Sequence, residues 1–119
     1  MVKNILTAAI VGLIICAGVK AEARDVYVGT SSATGWDCYI MTDTIKRYNG
    51  DMDYGGDTAY TQKATLKMVT GSGNVQYLDY TFHVGNFPMW FENSQGYRGR
   101  VTRNDTPIEW NMHQVMKNY

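Results

Sequence analysis

Hydrophobic and polar residues alternate along two stretches near the middle of the chain. Residues 60–69 and 75–84 place apolar side chains at every second position, namely Ala64, Leu66 and Met68 in the first and Leu78, Tyr80, Phe82 and Val84 in the second. Residues 70–74 between them include two glycines, which can take positive φ values. Period-two alternation on both sides of such a loop predicts a β-hairpin, and we expect it to form the centre of the fold.

A second hairpin is predicted nearer the N-terminus. The β-prone residues 26–28 and 36–42 are separated by Gly29 and a polar stretch. The later strand carries Cys38 and Ile40 on one face and Tyr39 and Met41 on the other. Apolar residues on both faces indicate a strand that is central in the sheet or covered on both sides.

A loop is predicted over residues 49–57, and residues 42–45 before it predict a single helical turn. The loop contains Asp51, Asp53 and Asp57, which suggests calcium as a ligand. An EF-hand loop requires a glutamate at its twelfth position, and none occurs there when the loop is counted from Asn49 or Asp51. The sequence therefore favours a solvent-exposed loop, with an incidental weak calcium site as the alternative.

The last third of the chain predicts two short strands and a helix. Residues 89–91 and 97–102 form the strands, with a turn at 93–96 between them. Thr106, Pro107 and Glu109 match a capping box with proline at the first helical position, so the helix should run from Pro107 to about Asn118. One stripe of this helix is apolar and consists of Ile108, Met112, Val115 and Tyr119.

Together these elements predict an α+β fold. We expect one antiparallel sheet of about five or six strands, with the C-terminal helix packed on one face. At 119 residues the chain has room for one such domain, which we place at residues 24–119.

Residues 1–23 predict a secretory signal peptide. Lys3 precedes an uncharged stretch, residues 5–19, which is shorter than the ~20 residues of a membrane-spanning helix. Cleavage frames end at Ala21 and Ala23, so we expect a secreted, periplasmic or cell-envelope protein with no membrane span after cleavage. Two alternatives are an uncleaved anchor and a lipoprotein modified at Cys16, which the bulky Ile15 before it disfavours.

Composition limits the possible chemistry. The chain carries 11 basic and 11 acidic residues, whereas a nucleic-acid-binding domain typically has a basic face, so no nucleic acid partner is expected. Cys38 is the sole cysteine after residue 23. In an exported protein it is either a buried small hydrophobe or an intermolecular linker, and its apolar strand favours burial.

No catalytic, cofactor-binding or metal-binding residues are predicted. His83 and His113 are thirty residues apart and accompany one cysteine, which does not match the ligand spacing of a zinc site. Asp79 and His83 share a strand face, but four residues of strand separate their backbones by ~13 Å. We expect both side chains on the solvent side of the sheet.

The aromatic residues give the main functional hint. One thin sheet and one helix cannot bury all of Tyr27, Tyr39, Tyr77, Tyr97 and Trp90. Exposed aromatic surface is typical of protein or sugar contacts. We therefore predict a binding patch around Tyr77 and Trp90, with a protein or glycan at the cell surface as the partner.

The order of features resembles a known family. A first strand at Val26-Tyr27-Val28, a strand-to-turn segment at residues 38–45, a central hairpin and a helix starting Pro107-Ile108-Glu109-Trp110 follow the predicted signal. This order is similar to that of small secreted bacterial domains of the surface-adhesin E type. The resemblance implies an antiparallel sheet with a C-terminal helix, a cell-envelope location and binding to host matrix proteins. It assigns no individual binding residue.

The sequence thus predicts a non-enzymatic, adhesin-like interaction domain. Two other classes remain open. A planar row of exposed aromatic rings would favour a carbohydrate-binding module, and a pocket that joins buried His83 or His113 to a carboxylate would favour a small enzyme.

Overall fold

The computed structural model of the protein describes residues 24–51 and 58–119, which form six strands and one helix. The strands are β1 (Asp25–Thr30), β2 (Asp37–Asp51), β3 (Thr58–Val69), β4 (Val75–Gly85), β5 (Trp90–Asn93) and β6 (Arg98–Arg100), and the helix α1 is Pro107–Met116. The predicted signal peptide, including Cys16, and the aspartates at 53 and 57 of the calcium hypothesis lie outside the described residues.

Each strand pairs with the next one along the chain. The sheet is antiparallel throughout and has the order β1-β2-β3-β4-β5-β6. The central hairpin pairs Leu66 with Leu78 and Ala64 with Tyr80, as the alternation predicts. The α+β fold class and both predicted hairpins are therefore confirmed.

The two faces of the sheet differ in what covers them. The core face packs against α1 and holds the largest fully buried side chains of the sheet, which are Ile40, Leu66, Phe82 and Phe91. The opposite face, which we call the open face, carries the alternate residues of the same strands. Because partners across an antiparallel pair project to the same side, the strand registers assign every position to one of these faces.

Three aromatic rings form the centre of the core face. The ring centroids of Tyr80 and Phe91 are 5.6 Å apart, and those of Phe82 and Phe91 are 6.2 Å apart. Gly99 pairs with Phe91 on the edge strand, where a Cβ atom would approach the Phe91 ring to 3.3 Å. A residue without a side chain at this position leaves room for the ring.

The helical turn predicted over residues 42–45 is wrong, because β2 continues through these residues as an extended bulge. Met41 pairs with Thr65 and Lys46 with Lys63, so four residues of β2 lie opposite Ala64 alone. Thr44 Oγ1 donates to the Met41 carbonyl at 2.6 Å and accepts from the Thr65 N–H at 2.8 Å. The hydroxyl thus replaces the backbone bonds that a regular ladder would supply.

A smaller bulge in β1 lies against the helix. Gly29 has a φ of +136°, and a Cβ atom there would lie 3.3 Å from Ile108 Cγ1. Asn111 Nδ2 donates to the Val28 carbonyl at 2.9 Å. These contacts fix α1 across the first strand, and the bulge brings Tyr27 and Thr30 to the same side of the sheet.

The helix begins at Pro107, as predicted, but ends at Met116 rather than Asn118. The capping box is wrong, because no side chain caps the helix and Thr106 Oγ1 bonds instead to the preceding loop. Glu109 accepts a 2.7 Å hydrogen bond from the Tyr80 hydroxyl. The face toward the sheet is therefore rotated from the predicted stripe: Met112, His113 and Met116 are buried, whereas Tyr119 is exposed.

Cys38 is buried, as its strand position predicts. Its Sγ donates to the Trp36 carbonyl at 3.6 Å. Burial raises the pKa of the thiol, which disfavours the reactive thiolate form. Cys38 therefore serves as a small core residue in this structure.

Among the residues described, no helix is both long enough and apolar enough to cross a membrane.

Candidate binding face

The open face divides into two regions of different chemistry. The first, which we call the tyrosine half, includes a row of cross-strand partners on β1, β2, β3 and β4. In this row Tyr27 pairs with Tyr39, Tyr39 with Lys67, and Lys67 with Tyr77. Three of the four positions across the sheet are thus tyrosines.

Two of these tyrosines expose more than half of their surface. Tyr27 is 55% exposed and Tyr77 is 57% exposed, while Tyr39 between them is half-buried. The rings of Tyr27 and Tyr39 meet edge to face, with centroids 5.6 Å apart and an interplanar angle of 63°. Burial, with a smaller effect from Asp37, raises the pKa of the Tyr39 hydroxyl. The row is aromatic and accessible, but it is not planar.

Acidic groups predominate around the tyrosines. Asp25 forms a 2.7 Å ion pair with Lys67. Asp37 accepts from Thr30 Oγ1 at 2.7 Å and Asp79 accepts from Thr65 Oγ1 at 2.8 Å. Three carboxylates and one ammonium occupy these register positions, so the tyrosine half carries a net negative charge.

The second region, which we call the basic half, covers the same face toward the other end of β3 and β4. Lys46 pairs with Lys63, Glu92 pairs with Arg98, and Trp90 pairs with Arg100. All four basic side chains are exposed. With four basic residues and one acid, this region carries a net positive charge.

A stack of side chains occupies the centre of the basic half. The His83 ring lies on the Trp90 ring with centroids 4.1 Å apart. His83 Nε2 donates to Glu92 Oε2 at 2.9 Å. The Arg98 guanidinium carbon lies 4.8 Å from the centroid of the Trp90 ring. Trp90 is therefore contacted from both strands that flank β5.

The predicted solvent exposure of His83 is wrong. The residue is 4% exposed, because Trp90 on the next strand stacks on its ring. Its carboxylate neighbour is Glu92 and not Asp79, which bonds to Thr65. Glu92 can be identified as the carboxylate partner of His83 from the register of β4 with β5. In this register Thr81 pairs with Glu92, and His83 pairs with Trp90.

The two predicted binding residues lie on the same face but at different ends of it. Tyr77 belongs to the tyrosine half, and Trp90 is half-buried within the stack of the basic half. Six residues of β4 separate Tyr77 from His83, the partner of Trp90, which corresponds to ~20 Å of strand. Tyr77 and Trp90 therefore do not form one compact patch.

His113 lies on the opposite side of the sheet, between α1 and the core. It is buried, and desolvation, with a smaller contribution from Lys117, lowers its pKa. Within the described ranges, His113 Nε2 and Gln62 Oε1 lack hydrogen-bond partners, while Gln62 Nε2 donates to the Met116 carbonyl at 3.1 Å. His113 therefore acts in helix packing.

Metal ligands are not gathered in the part of the chain that the structure describes. No group of three or more His, Cys, Asp or Glu side chains there has the arrangement to hold an ion.

Comparison with known proteins adds no assignment, because no family model, no curated protein and no solved structure matches the chain.

Proposed function

We propose that the protein is an exported, non-enzymatic interaction domain that binds a protein partner at the cell envelope or outside the cell through the tyrosine half of its open face. The observation that carries this proposal is the exposure of Tyr27 and Tyr77 in one cross-strand row. Export and an adhesin-like role rest on the N-terminal sequence and on the family resemblance.

The composition of the row supports a protein partner. Tyrosine combines a large apolar ring with a polar hydroxyl, and it is enriched among the residues that contribute most of the energy of protein interfaces. The flanking aspartates favour a partner with basic groups opposite them, since complementary charges steer association and select partners.

A neutral polysaccharide fits the row less well. Flat sugar rings stack best on coplanar aromatic rings, but Tyr27 and Tyr39 meet at 63°. Lys67 also interrupts the row between Tyr39 and Tyr77. The alternative of a carbohydrate-binding module based on a planar platform is therefore the weaker one for this region.

The test is binding of the protein, expressed from its full-length gene, to a panel of purified extracellular-matrix proteins by surface plasmon resonance. We expect at least one of them to bind, and Tyr77→Ala to weaken that binding by about tenfold or more, the effect typical of a central interface tyrosine.

Tyr119→Ala is the matched control, because Tyr119 is also an exposed tyrosine but follows α1, the helix that packs on the core face. It should leave the affinity unchanged. An equal loss of affinity in Tyr77→Ala and Tyr119→Ala would contradict the proposal. A panel in which no matrix protein binds would also contradict it.

A small acid–base enzyme is a second candidate, favoured by one observation. The buried His83 bonds to the carboxylate of Glu92 at 2.9 Å, a pairing that occurs in general-base catalysis. Stacking on Trp90 restricts access to this imidazole. Hydrolysis of p-nitrophenyl acetate that is lost in His83→Ala and kept in His113→Ala would favour the enzyme over the binding domain.

A further inference from the structure

We infer that the basic half of the open face is a second binding site, and that it takes an anionic polysaccharide carrying sulfate or carboxylate groups. The residues that would contact it are Lys46, Lys63, Arg98 and Arg100. This proposal does not depend on a protein partner at the tyrosine half. Either proposal can therefore be wrong without affecting the other.

The first argument is the separation of charge along one face. The zero net charge of the whole chain conceals an open face on which, among the residues that the structure describes, acids predominate in the tyrosine half and bases in the basic half. Lys67 of the tyrosine half is paired with Asp25. Of the two ion pairs found within residues 24–51 and 58–119, Lys67–Asp25 and His83–Glu92, neither includes one of the four exposed bases of the basic half.

The arrangement of these bases is unfavourable for the protein by itself. Lys46 and Lys63 are direct cross-strand partners, and like charges opposite each other destabilise a sheet. Arg98 and Arg100 lie two residues apart on the same side of β6, which places their backbones ~6.6 Å apart. An anion between such neighbours would relieve the repulsion in each pair.

The spacing favours a polymer over a small ion. The two lysines lie on β2 and β3, and the two arginines lie on β6. With strands about 4.8 Å apart, the site from β2 to β6 spans roughly 19 Å. A ligand that contacts both pairs must carry several anionic groups along its length.

The aromatic residues argue against a single-stranded nucleic acid. Such ligands stack their bases on exposed aromatic rings. Here the Trp90 ring is contacted by His83 at 4.1 Å and by Arg98 at 4.8 Å. The Lys63 ammonium lies 5.5 Å from the centroid of the Tyr48 ring. The rings therefore contact two of the four cations of the site, Lys63 and Arg98, and base stacking on the contacted ring faces would require these contacts to break.

Positioning of Arg98 is the specific role of the stack. Glu92 orients His83 by a hydrogen bond, His83 supports Trp90, and Trp90 lies beside the guanidinium. A guanidinium held against a ring retains N–H groups at its edge, which can bind a sulfate or a carboxylate through two parallel hydrogen bonds. Lysine cannot reproduce this geometry.

The experiment measures binding of the full-length gene product to fluorescent dextran sulfate by polarisation at low salt, with neutral dextran of the same length as the reference. Polygalacturonate in a parallel titration distinguishes carboxylate from sulfate as the preferred group. We expect binding to one or both anionic polymers, weakened by added salt because exposed charges are screened, and no binding to neutral dextran.

Single substitutions should distinguish binding at this site from attraction by the overall charge of the protein. Lys63→Gln and Arg98→Gln should each lower the affinity by about threefold to fivefold, the size of one exposed charge contact. Arg103→Gln removes the same charge from an exposed turn residue outside the sheet and should leave the affinity within about 1.5-fold. Arg98→Lys should bind more weakly than the unaltered protein although its charge is kept.

Three results would overturn the inference. One is equal binding to dextran sulfate and neutral dextran, and another is an equal loss in Arg98→Gln and Arg103→Gln, which would indicate attraction by overall charge. The third is tighter binding of oligo(dT) than of either polysaccharide, which would assign the site to nucleic acid. Tyr77→Ala should retain dextran sulfate binding. The test of the basic half is therefore separate from the test of a protein partner at the tyrosine half.

Discussion

The two faces of the sheet differ in how deeply their side chains are buried. On the core face, Phe82 and Phe91 are fully buried and the helix covers their neighbours. On the open face, which carries the alternate residues of the strands, Tyr77 of β4 is more than half exposed and Arg98 of β6 is also exposed. Period-two alternation therefore places the packed core on one face and leaves the side chains of the other face accessible.

Within the open face, the contrast between the two halves is one of charge. The aspartates of the tyrosine half are bonded to Lys67 or to threonine hydroxyls. Two of the four bases of the basic half instead lie against aromatic rings, Arg98 at Trp90 and Lys63 at Tyr48. The open face therefore presents two regions of opposite charge.

The sharpest test of the two-face comparison is truncation of one aromatic residue on each face of β4. Phe82→Ala should lower the free energy of unfolding by roughly 3–5 kcal/mol, because it leaves a cavity among packed rings. Tyr77→Ala should lower it by less than about 1 kcal/mol, since the ring is largely in water. Urea denaturation followed by circular dichroism measures both, and similar losses from the two variants would break the comparison.

A smaller effect is expected where the helix joins the sheet. Thr106 Oγ1 accepts from the Thr102 N–H at 2.8 Å and donates to the Arg100 carbonyl at 2.9 Å. Thr106→Ala should therefore destabilise the protein by about 1 kcal/mol through lost hydrogen bonds. This loss of stability does not come from a helix cap, because the Thr106 side chain does not cap α1.

Thr106→Ser is the matched control, because it keeps the hydroxyl and should retain most of the stability. Urea denaturation of both variants makes the comparison. A Thr106→Ala protein with an unchanged midpoint would show that these bonds do not hold the loop before α1.

The smallest expected effect is a pH dependence of stability, which comes from His113 on the core side of the sheet. Burial lowers the pKa of His113 below 6.5, so the unfolded chain binds a proton more readily than the folded one. The contribution to stability is therefore complete above about pH 6.5 and decreases as the pH falls from there toward the lower folded-state pKa.

His113→Gln removes this titration and keeps a polar side chain. The urea midpoint of the unaltered protein should fall more steeply between pH 7 and pH 5 than that of the variant. Parallel pH profiles of the two proteins would mean that His113 does not contribute to the pH dependence.

Local patterns in the sequence determined most of the secondary structure. Alternation of apolar residues defined the central hairpin and the buried positions Leu66 and Phe82. Two β-prone runs around a Gly-containing polar stretch defined the N-terminal hairpin, and Pro107 marked the start of the helix. These features depend on side-chain direction within one element, which backbone geometry fixes. The burial of Cys38 followed from its place in such a pattern.

The tertiary structure decided which polar groups meet. Thr44 and Thr106 bond to neighbouring backbone rather than start or cap a helix, because several local hydrogen bonds compete and packing selects one. The stack of Glu92, His83, Trp90 and Arg98 depends on the registers of β4, β5 and β6. A shift of one residue would place each side chain on the other face, and a list of residue types along the chain does not contain that register.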